Sequence, residues 1–493
     1  GVTIQQAAHV RDILLDEAYR KENGRCGFYE KLIDATDEIQ TQLGEFSGIS
    51  YQEAMSDLLS AINEVSKTPD DNTARASLVQ SAVAFIDRSQ LIYNGLAKYQ
   101  NNLNIQVANI TNRINEIGEQ IKTLNKQISA IETGVETAMT LRDERDLLLD
   151  ELSGYAKIEY TEDKNGVVSV MLEGNFFCDG LSVSKLGLET IEGTDFYIPV
   201  WKEMHNTPVY NMEKSISTAK NTDIGSLKGV LVARGTITPT FANMTQPANV
   251  VTTKPDRADY GSDDDYNAAV AAYKEYRDYL SYKSCEGYSP VARTMANFDK
   301  LVNSVVEQIN DVLSPTKNAT VTYIDDNGNT VTYTGKILDM DKTDYGKDND
   351  KTPGTELFSR KYTDRYKKVT GTDGNTYYIY NDNNTFNTKS LYSITNIEVN
   401  PDVLKDVAVI PLHLADGKVD YDKGKELTAV FSKENLTYGS GTENQHCRKN
   451  KQSRTNPRSD LVVNPLIERQ GGNFLFIGQR IFLVGNLSFK RIA

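Results

Sequence analysis

Thirteen residues, LRDERDLLLDELS at 141–153, carry seven charged side chains. Five of these are carboxylates, which could bind a metal ion or act as a general acid and base. A site of that kind would also need a histidine or a second carboxylate cluster, and none is evident in the sequence. The five carboxylates are Asp143, Glu144, Asp146, Asp150 and Glu151.

The spacing within this segment is typical of a helix surface. Leu141, Leu148 and Leu152 fall on one helical face, as in an amphipathic helix. Arg142 stands four residues before Asp146, and Arg145 lies among acidic neighbours. We therefore expect surface ion pairs, each worth about 0.3 kcal/mol, and a solvated face that sets the register of the helix.

Three other stretches invite a chemical interpretation. The acidic run 339–350 resembles a calcium loop, but its sixth position is Asp344, and Gly346 comes two places later; an exposed acidic loop fits better. The run SDDDYN at 262–267 reads as a linker ending in a helix N-cap. Glu203 and His205 could be zinc ligands, but the chain has four histidines and no HExxH motif, so a zinc peptidase site is disfavoured.

Composition and missing motifs exclude further classes. No GxSxG, Walker loop or GxGxxG after a strand occurs, so we predict no enzyme and no catalytic, cofactor-binding or metal-binding residues. The net charge of -14 argues against nucleic-acid binding, and no apolar run is long enough to span a membrane. The cysteines form no CxxC pair and favour neither zinc nor disulfides; they are Cys26, Cys178, Cys285 and Cys447.

A long apolar seam dominates the first third of the chain. Its members alternate at spacings of four and three over four heptads, which predicts a coiled-coil or bundle helix. Such a helix cannot bury its seam alone, so partner helices are expected at 28–46, 51–69, 72–100 and 291–315. The seam runs through Leu103, Val107, Ile110, Ile114, Ile117, Ile121, Leu124, Ile128 and Ile131.

Turn signals and alternating apolar residues mark β-rich insertions. Hairpins are predicted around Lys164-Asn165-Gly166 and at 321–333, with further strands at 371–386 and 394–401; a short helix is predicted at 266–280. The fold class is therefore a mainly α, elongated, coiled-coil-like bundle with inserted β-rich outer domains, α+β overall. The predicted parts are a helical rod (1–153), a β-rich insertion (154–290), a returning helix (291–315), a second insertion (316–395), a return segment (396–440) and a basic tail (441–493).

Several stretches, in this order, resemble the bacterial flagellar hook-associated protein 1 family across roughly 1–435. The combination of LRDERDLLLDELS with the preceding heptad helix is the most specific of them. The matching stretches lie at 1–23, 66–82, 112–128, 141–153, 225–235, 301–311 and 394–406.

The resemblance implies a non-enzymatic, extracellular structural protein that forms a ring of subunits between flagellar hook and filament. Its implied partners are itself, the hook protein, the second junction protein, an export chaperone and the type III export apparatus, with no nucleic acid and no membrane. It implies export without a cleaved signal peptide, a further segment before Gly1 and a final apolar helix; the chain as it stands reads as a fragment or mature piece. No catalytic residue is carried over.

The tail departs from the family pattern. Residues 441–493 hold nine lysines and arginines against three acidic residues. A shifted reading frame is one explanation, and a basic tail with a β-hairpin or membrane-surface segment at 474–489 is the other.

For the whole protein, the alternative function is a surface adhesin acting through the insertions. An enzyme carried in an insertion, a flagellin and the second junction protein are less favoured.

Overall fold

The computed structural model describes residues 13–44, 51–133, 137–212, 215–326, 328–382, 390–431, 474–476 and 481–483. Long helices and several small antiparallel sheets make up the fold, which confirms the predicted class of a mainly helical protein with β-rich insertions. The predicted domain boundaries stay a prediction. The helices are α1 (Ile13–Leu43), α2 (Tyr51–Lys67), α3 (Asn72–Glu132), α4 (Met139–Tyr155), α5 (Ser226–Arg234), α6 (Asp263–Glu286), α7 (Pro290–Leu313), α8 (Pro401–Lys405) and α9 (Tyr421–Val430).

The chain forms two compact units, each built from three stretches of sequence. The first unit takes residues up to Ile39, Leu96–Thr238 and Leu280–Thr294. The second takes Gln40–Gly95, Pro239–Tyr279 and the residues from Met295 onward. Both units therefore combine long helices with strands that are distant in sequence.

Helix α3 runs unbroken for 61 residues, so the prediction of separate helices at 72–100 and from Leu103 was wrong. No glycine or proline stands at the predicted junction, YQNNLNIQ, and nothing there ends a helix. Residues 72–100 consequently cannot pack against the seam, because they continue the same helix. The seam is nevertheless buried along most of its length, while Ile110 is half-buried and Ile131 is 39% exposed.

The strands of the first unit form two three-stranded antiparallel sheets. Their orders are β1–β2–β3 and β4–β5–β6. The predicted hairpin at Lys164-Asn165-Gly166 joins β1 to β2, with Glu162 opposite Val168. Gly166 has a φ of 74°, a conformation that glycine adopts without strain. The strands are β1 (Ile158–Glu162), β2 (Val168–Leu172), β3 (Asn175–Cys178), β4 (Leu186–Thr190), β5 (Tyr197–Trp201) and β6 (Thr207–Pro208).

The second unit contains a four-stranded antiparallel sheet in the order β10–β11–β8–β7. The predicted hairpin at 321–333 forms its longest pair, and one face carries a small core of Val321, Ile337, Val369 and Ile379. Strands β9 and β12 form a separate pair. The strands are β7 (Thr316–Ile324), β8 (Thr330–Leu338), β9 (Phe358–Arg360), β10 (Tyr366–Thr370), β11 (Thr376–Tyr380) and β12 (Ile397–Val399).

The remaining sequence predictions concern single elements. Helices were predicted at 51–69, 291–315 and 266–280, where α2, α7 and the longer α6 lie. Within the tail, β13 (Phe474–Phe476) and β14 (Ile481–Leu483) pair antiparallel, as one of the two explanations of the tail expects. The rest of the tail lies outside the described residues. In the described parts of the chain, no helix has the length and apolar character required to cross a bilayer.

Candidate functional site

The charged segment 141–153 lies on α4 and fixes that helix to its neighbours. Arg145 is only 1% exposed. Its guanidinium donates to Asn125 Oδ1 on α3 at 3.1 Å and to the Gly166 carbonyl in the β1–β2 turn at 2.5 Å, and it lies 3.3 Å from Glu162. Arginine suits this position because its planar fork reaches several acceptors at once.

The other charges of the segment also reach outside α4. Asp150 accepts from Arg20 Nε on α1 at 2.7 Å. Glu151 accepts twice from Arg113 on α3, at 2.8 Å each. The segment is therefore structural, as predicted. Its arginines differ from the expected surface ion pairs, because Arg145 is buried and both arginines pair outside the helix, Arg142 with Glu132 and Arg145 with Glu162.

Arg142 closes the corner between α3 and α4. It binds both carboxylate oxygens of Glu132, at 2.7 and 2.6 Å, and it reaches Glu162 at 2.5 Å. The hydrogen bonds from Arg142 hold the pKa of Glu132 below its usual range, against the opposing effect of burial. Arg113 lowers the pKa of Glu151 in the same way, so both carboxylates are held in their charged form.

A row of asparagines on α3 joins the helix to the strands. Asn125 donates to the Val168 carbonyl at 2.8 Å and accepts from the Val168 amide at 3.1 Å. Asn115 does the same with Leu186, at 3.0 and 2.9 Å. Asn104 donates to the Asp195 carbonyl and accepts from the Tyr197 amide, at 2.9 and 2.8 Å.

These asparagines were missed in the sequence. They stand eleven and ten residues apart, which is close to three helical turns and places them along one side of α3. This regular spacing is the sequence signal that could have identified them. A primary amide can take the place of a strand's backbone partner, because it donates and accepts a hydrogen bond at the same time. Asn125 and Asn115 satisfy backbone groups of the buried strand residues Val168 and Leu186, which would otherwise lack these hydrogen bonds. Asn104 binds the turn that leads into β5.

Glycines allow α1, α4 and α5 to approach closely. A Cβ on Gly24 would lie 2.5 Å from both Ile224 Cγ2 and the Ser153 carbonyl oxygen, and one on Gly27 would lie 2.7 Å from the Gly154 carbonyl oxygen. On α5, a Cβ on Gly229 would lie 2.7 Å from the Phe28 carbonyl oxygen. The Gly225 amide donates to the Gly24 carbonyl at 2.8 Å, so the backbones of α1 and of the residue before α5 are in direct contact.

The acidic side chains of 339–350 bind nearby residues and stabilise the local turn, and part of the run is buried. Asp339 and Asp341 both pair with Lys317, at 3.0 and 2.5 Å. Asp348 accepts from the Thr352 hydroxyl at 2.7 Å. Asp344 is 4% exposed, so the prediction of an exposed loop was wrong there, because the turn folds inward at that residue.

The two remaining candidates occupy surface positions. Asp265 N donates to the Ser262 hydroxyl at 3.1 Å, so the acidic run there begins α6 with a capping serine. Glu203 and His205 are exposed, and His205 has a φ of 54° just after a short 3₁₀ turn. The described part of the chain holds no cluster of three or more histidine, cysteine or acidic side chains suited to a metal ion. The absence of catalytic, cofactor and metal residues stays a prediction.

Known proteins match the region that these contacts organise. Residues 36–259 match the family model of the flagellar hook-associated protein FlgK helical domain. This part of the chain is similar to that helical domain.

Two flagellar hook-associated proteins 1 are similar to this chain. That of Bacillus subtilis is 27% identical over 192 residues, covering 39% of this chain and 38% of the relative. That of Escherichia coli is 24% identical over 231 residues, covering 45% of this chain and 39% of the relative. The chain thus spans well under half the length of either relative.

Among solved structures, the flagellar hook junction protein FlgK from Burkholderia pseudomallei matches with a TM-score of 0.44 and 13% identity. That match covers 81% of this chain and 66% of the solved chain.

Proposed function

We propose that this protein is a structural component of the bacterial flagellum that forms the junction between hook and filament. The observation that carries the proposal is the match of the hook-associated helical domain to residues 36–259. That stretch holds α2, α3, α4 and α5 together with β1–β6, and so includes the asparagine row and most of the charged contacts described above.

The internal contacts support a structural role. Of the carboxylates that first suggested chemistry, Asp150 and Glu151 join α4 to α1 and α3. The arginines of the same segment, Arg142 and Arg145, join α4 to α3 and to the β1–β2 hairpin. A charged group used in this way is unsuited to a proton-transfer role, because its ionised form is stabilised by a fixed partner. We therefore propose that the protein is not an enzyme.

The proposal extends to partners and location. The protein would associate with further copies of itself in a ring, and would pack against the hook protein on one side and the second junction protein on the other. It would be extracellular, exported without a cleaved signal peptide by the type III export apparatus with a chaperone. The adhesin alternative receives no support from the comparisons.

Deletion of the gene tests the junction role directly. Electron microscopy should show hooks without filaments, and immunoblots should find flagellin in the culture medium. Restoring the gene should restore filaments. Filaments of normal number and length in the deletion strain would contradict the proposal, and a deletion strain that swims normally but attaches poorly would indicate an adhesin instead.

A further inference from the structure

The guanidinium of Arg75 fixes residues 407–413 to the start of helix α3. Arg75 has no exposed surface, and its Nε donates to the Pro69 carbonyl at 2.6 Å. Its Nη1 reaches three carbonyls of the 407–413 segment, those of Val407, Ala408 and Ile410, at 3.1, 3.3 and 2.9 Å. One buried side chain therefore joins the corner between α2 and α3 to a segment at least 332 positions away.

His413 completes this contact, and the geometry fixes the protonation state of its ring. His413 is 4% exposed; its Nδ1 lies 3.3 Å from Arg75 Nη2, and its Nε2 lies 2.8 Å from Asp70 Oδ1. A guanidinium donates and cannot accept, so Nδ1 must accept and carry no proton. The single proton of the neutral ring is therefore on Nε2 and is donated to Asp70. The backbone of His413 is held as well, by two hydrogen bonds with Tyr345 at 2.7 and 3.1 Å.

A second proton on the ring would lie on Nδ1 and point at the guanidinium of Arg75. It would remove the hydrogen bond and bring two positively charged groups together, with Nδ1 and Nη2 3.3 Å apart. Because Arg75 is fully buried, water screens this repulsion poorly. Burial lowers the pKa of Arg75 to about 10, which leaves the guanidinium charged in acid and at neutral pH.

Asp70 attracts a protonated ring, but its attraction is the weaker of the two effects. The Asp70 side chain is 70% exposed, so water screens its charge, and Lys347 beside it donates to the Asp70 carbonyl. The hydrogen bond from His413 lowers the pKa of Asp70, so the carboxylate is already ionised and accepts from Nε2 in both states of the ring. The second proton therefore removes the contact with Arg75 and creates no new hydrogen bond at Asp70.

Two further carboxylates stand in the neighbourhood of His413. Asp406 attracts Arg75. Near the backbone bridge on the other side of His413, Asp416 pairs with Lys418 at 2.7 Å. Both of these carboxylates thus already face a cation.

One neighbour responds to acid in the opposite sense. Asp344 directly precedes Tyr345, whose backbone pairs with that of His413, and burial raises the pKa of Asp344 to about 7. Its contribution to stability is therefore complete at acid pH and is lost as the pH rises through about 7. An experiment on His413 must hold the contribution of Asp344 constant.

We propose that His413 is an acid-sensitive switch, and that protonation of its ring releases residues 407–413 from the start of α3. The opened segment leaves the ring free to take the second proton, whereas the closed contact resists it. The contact is therefore most stable above the range in which an exposed histidine titrates, between about pH 5 and pH 8, and weakens as the pH falls through that range. The inference goes beyond the junction role and does not depend on it, since the contact lies within the second unit.

Hydrogen exchange of the full chain, followed by mass spectrometry, tests the switch. Wild type is compared with His413→Asn at the same pH, so that the pH dependence of exchange itself and the effect of Asp344 are common to both. The Asn Oδ1 replaces Nδ1 as an acceptor for Arg75 and does not titrate. The ratio of wild-type to variant exchange rates in 407–413 should rise about tenfold from pH 7.5 to pH 5.5, since an exposed histidine is about 90% protonated at the lower pH.

Two further variants serve as controls. His205→Asn is matched to the test variant, because His205 is exposed and its φ of 54° is a conformation that asparagine tolerates. It should leave the acid response of 407–413 as it is in the wild type. Asp70→Asn separates the two partners of the ring. In that variant the acid response should persist or increase, because Asp70 favours the protonated form.

A ratio of wild type to His413→Asn that is the same at both pH values would overturn the inference. Loss of the acid response in Asp70→Asn would also overturn it, because the carboxylate rather than Arg75 would then govern the response to the proton. Circular dichroism establishes first that each variant is folded. If His413→Asn fails to fold, the comparison of wild type with Asp70→Asn at the two pH values still decides the question.

Discussion

Asn125 on helix α3 binds both backbone groups of Val168 on strand β2, donating to its carbonyl at 2.8 Å and accepting from its amide at 3.1 Å. The side chain takes the place of a neighbouring strand. It also accepts from buried Arg145 at 3.1 Å, so a single asparagine connects α3, α4 and the β1–β2 hairpin. Removing the amide of Asn125 would take one hydrogen-bond partner away from each of three polar groups. Asn125 itself has no exposed surface.

Asn125→Ala should therefore destabilise the chain by on the order of 3 kcal/mol, since each buried group left unsatisfied costs about 1–3 kcal/mol. Thermal unfolding followed by circular dichroism measures the effect. Asn101→Ala is the matched control, because Asn101 is exposed on the same helix and alanine is a better helix former. A melting temperature lowered equally by both variants would contradict the role given to Asn125.

Gly24→Ala should destabilise the packing of α1 against α4 and α5. The new Cβ would lie 2.5 Å from the Ser153 carbonyl oxygen, a backbone atom that cannot move aside, so we expect a loss of about 1–3 kcal/mol from strain. Gly154→Ala on α4 is the control, since its Cβ meets only the Asn23 side-chain nitrogen at 3.4 Å. That change should be neutral or stabilise the helix by about 0.5–1 kcal/mol.

Chemical denaturation of the two glycine variants provides the comparison. The midpoint of Gly24→Ala should fall relative to the wild type, and that of Gly154→Ala should stay or rise. The same direction of change in both variants would show that helix propensity, rather than the close approach of the backbones, governs these positions.

The long helices could be predicted because their signal is local. The spacing of Leu103 to Ile131 identifies a helix whatever lies beside it, and the hairpin at Lys164-Asn165-Gly166 follows from turn chemistry in the same way. The structural character of 141–153 could also be predicted, from the leucines on one face. Its family resemblance rests on the same residues.

Contacts between distant segments could not be predicted. Arg145 and Gly166 meet only because the hairpin folds back over α4, and no spacing within α4 indicates that. The approach of Gly24 to Ile224 joins residues 200 positions apart. The break expected between 72–100 and the seam is a different case, because no residue between the two stretches ends a helix and α3 continues through both.

Glu132→Gln should weaken the corner between α3 and α4 in a pH-dependent manner. The pKa of Glu132 is lowered in the folded chain, chiefly by its hydrogen bonds from Arg142. The pair therefore stabilises the fold above the ordinary pKa of glutamate, near 4.5, and that stabilisation is lost as the pH falls through the folded value. We expect a loss of about 1–3 kcal/mol at pH 7 that shrinks toward zero at strongly acidic pH.

Thermal unfolding of wild type and variant between pH 3 and pH 7 checks this expectation. Glu116→Gln is the control, because Glu116 is 63% exposed and pairs with Arg113 on the helix surface, where such a pair is worth about 0.3 kcal/mol. A difference between wild type and Glu132→Gln that stays constant with pH would contradict the ionic role of Glu132.

Asp299 on α7 should produce the opposite pH dependence. It has no exposed surface, and its two oxygens accept from the amides of Phe241 and Ile394, at 2.8 and 2.6 Å. Burial raises its pKa to about 7, against those two hydrogen bonds. A raised pKa means that the folded chain holds this proton more tightly than the unfolded chain. Its contribution to stability is thus complete below the ordinary pKa of aspartate and is lost as the pH rises through about 7.

Asp299→Asn should remove that pH dependence and lose one of the two hydrogen bonds, because an amide nitrogen cannot accept from an N–H group. We expect the variant to be less stable than the wild type at pH 5 by about 1–3 kcal/mol, with a smaller deficit at pH 8, where the wild type carries the cost of a buried charge. Urea denaturation at the two pH values measures both differences. Because Asn keeps the shape of Asp, a deficit that is equal at pH 5 and pH 8 would mean that Asp299 does not change its ionisation in this range.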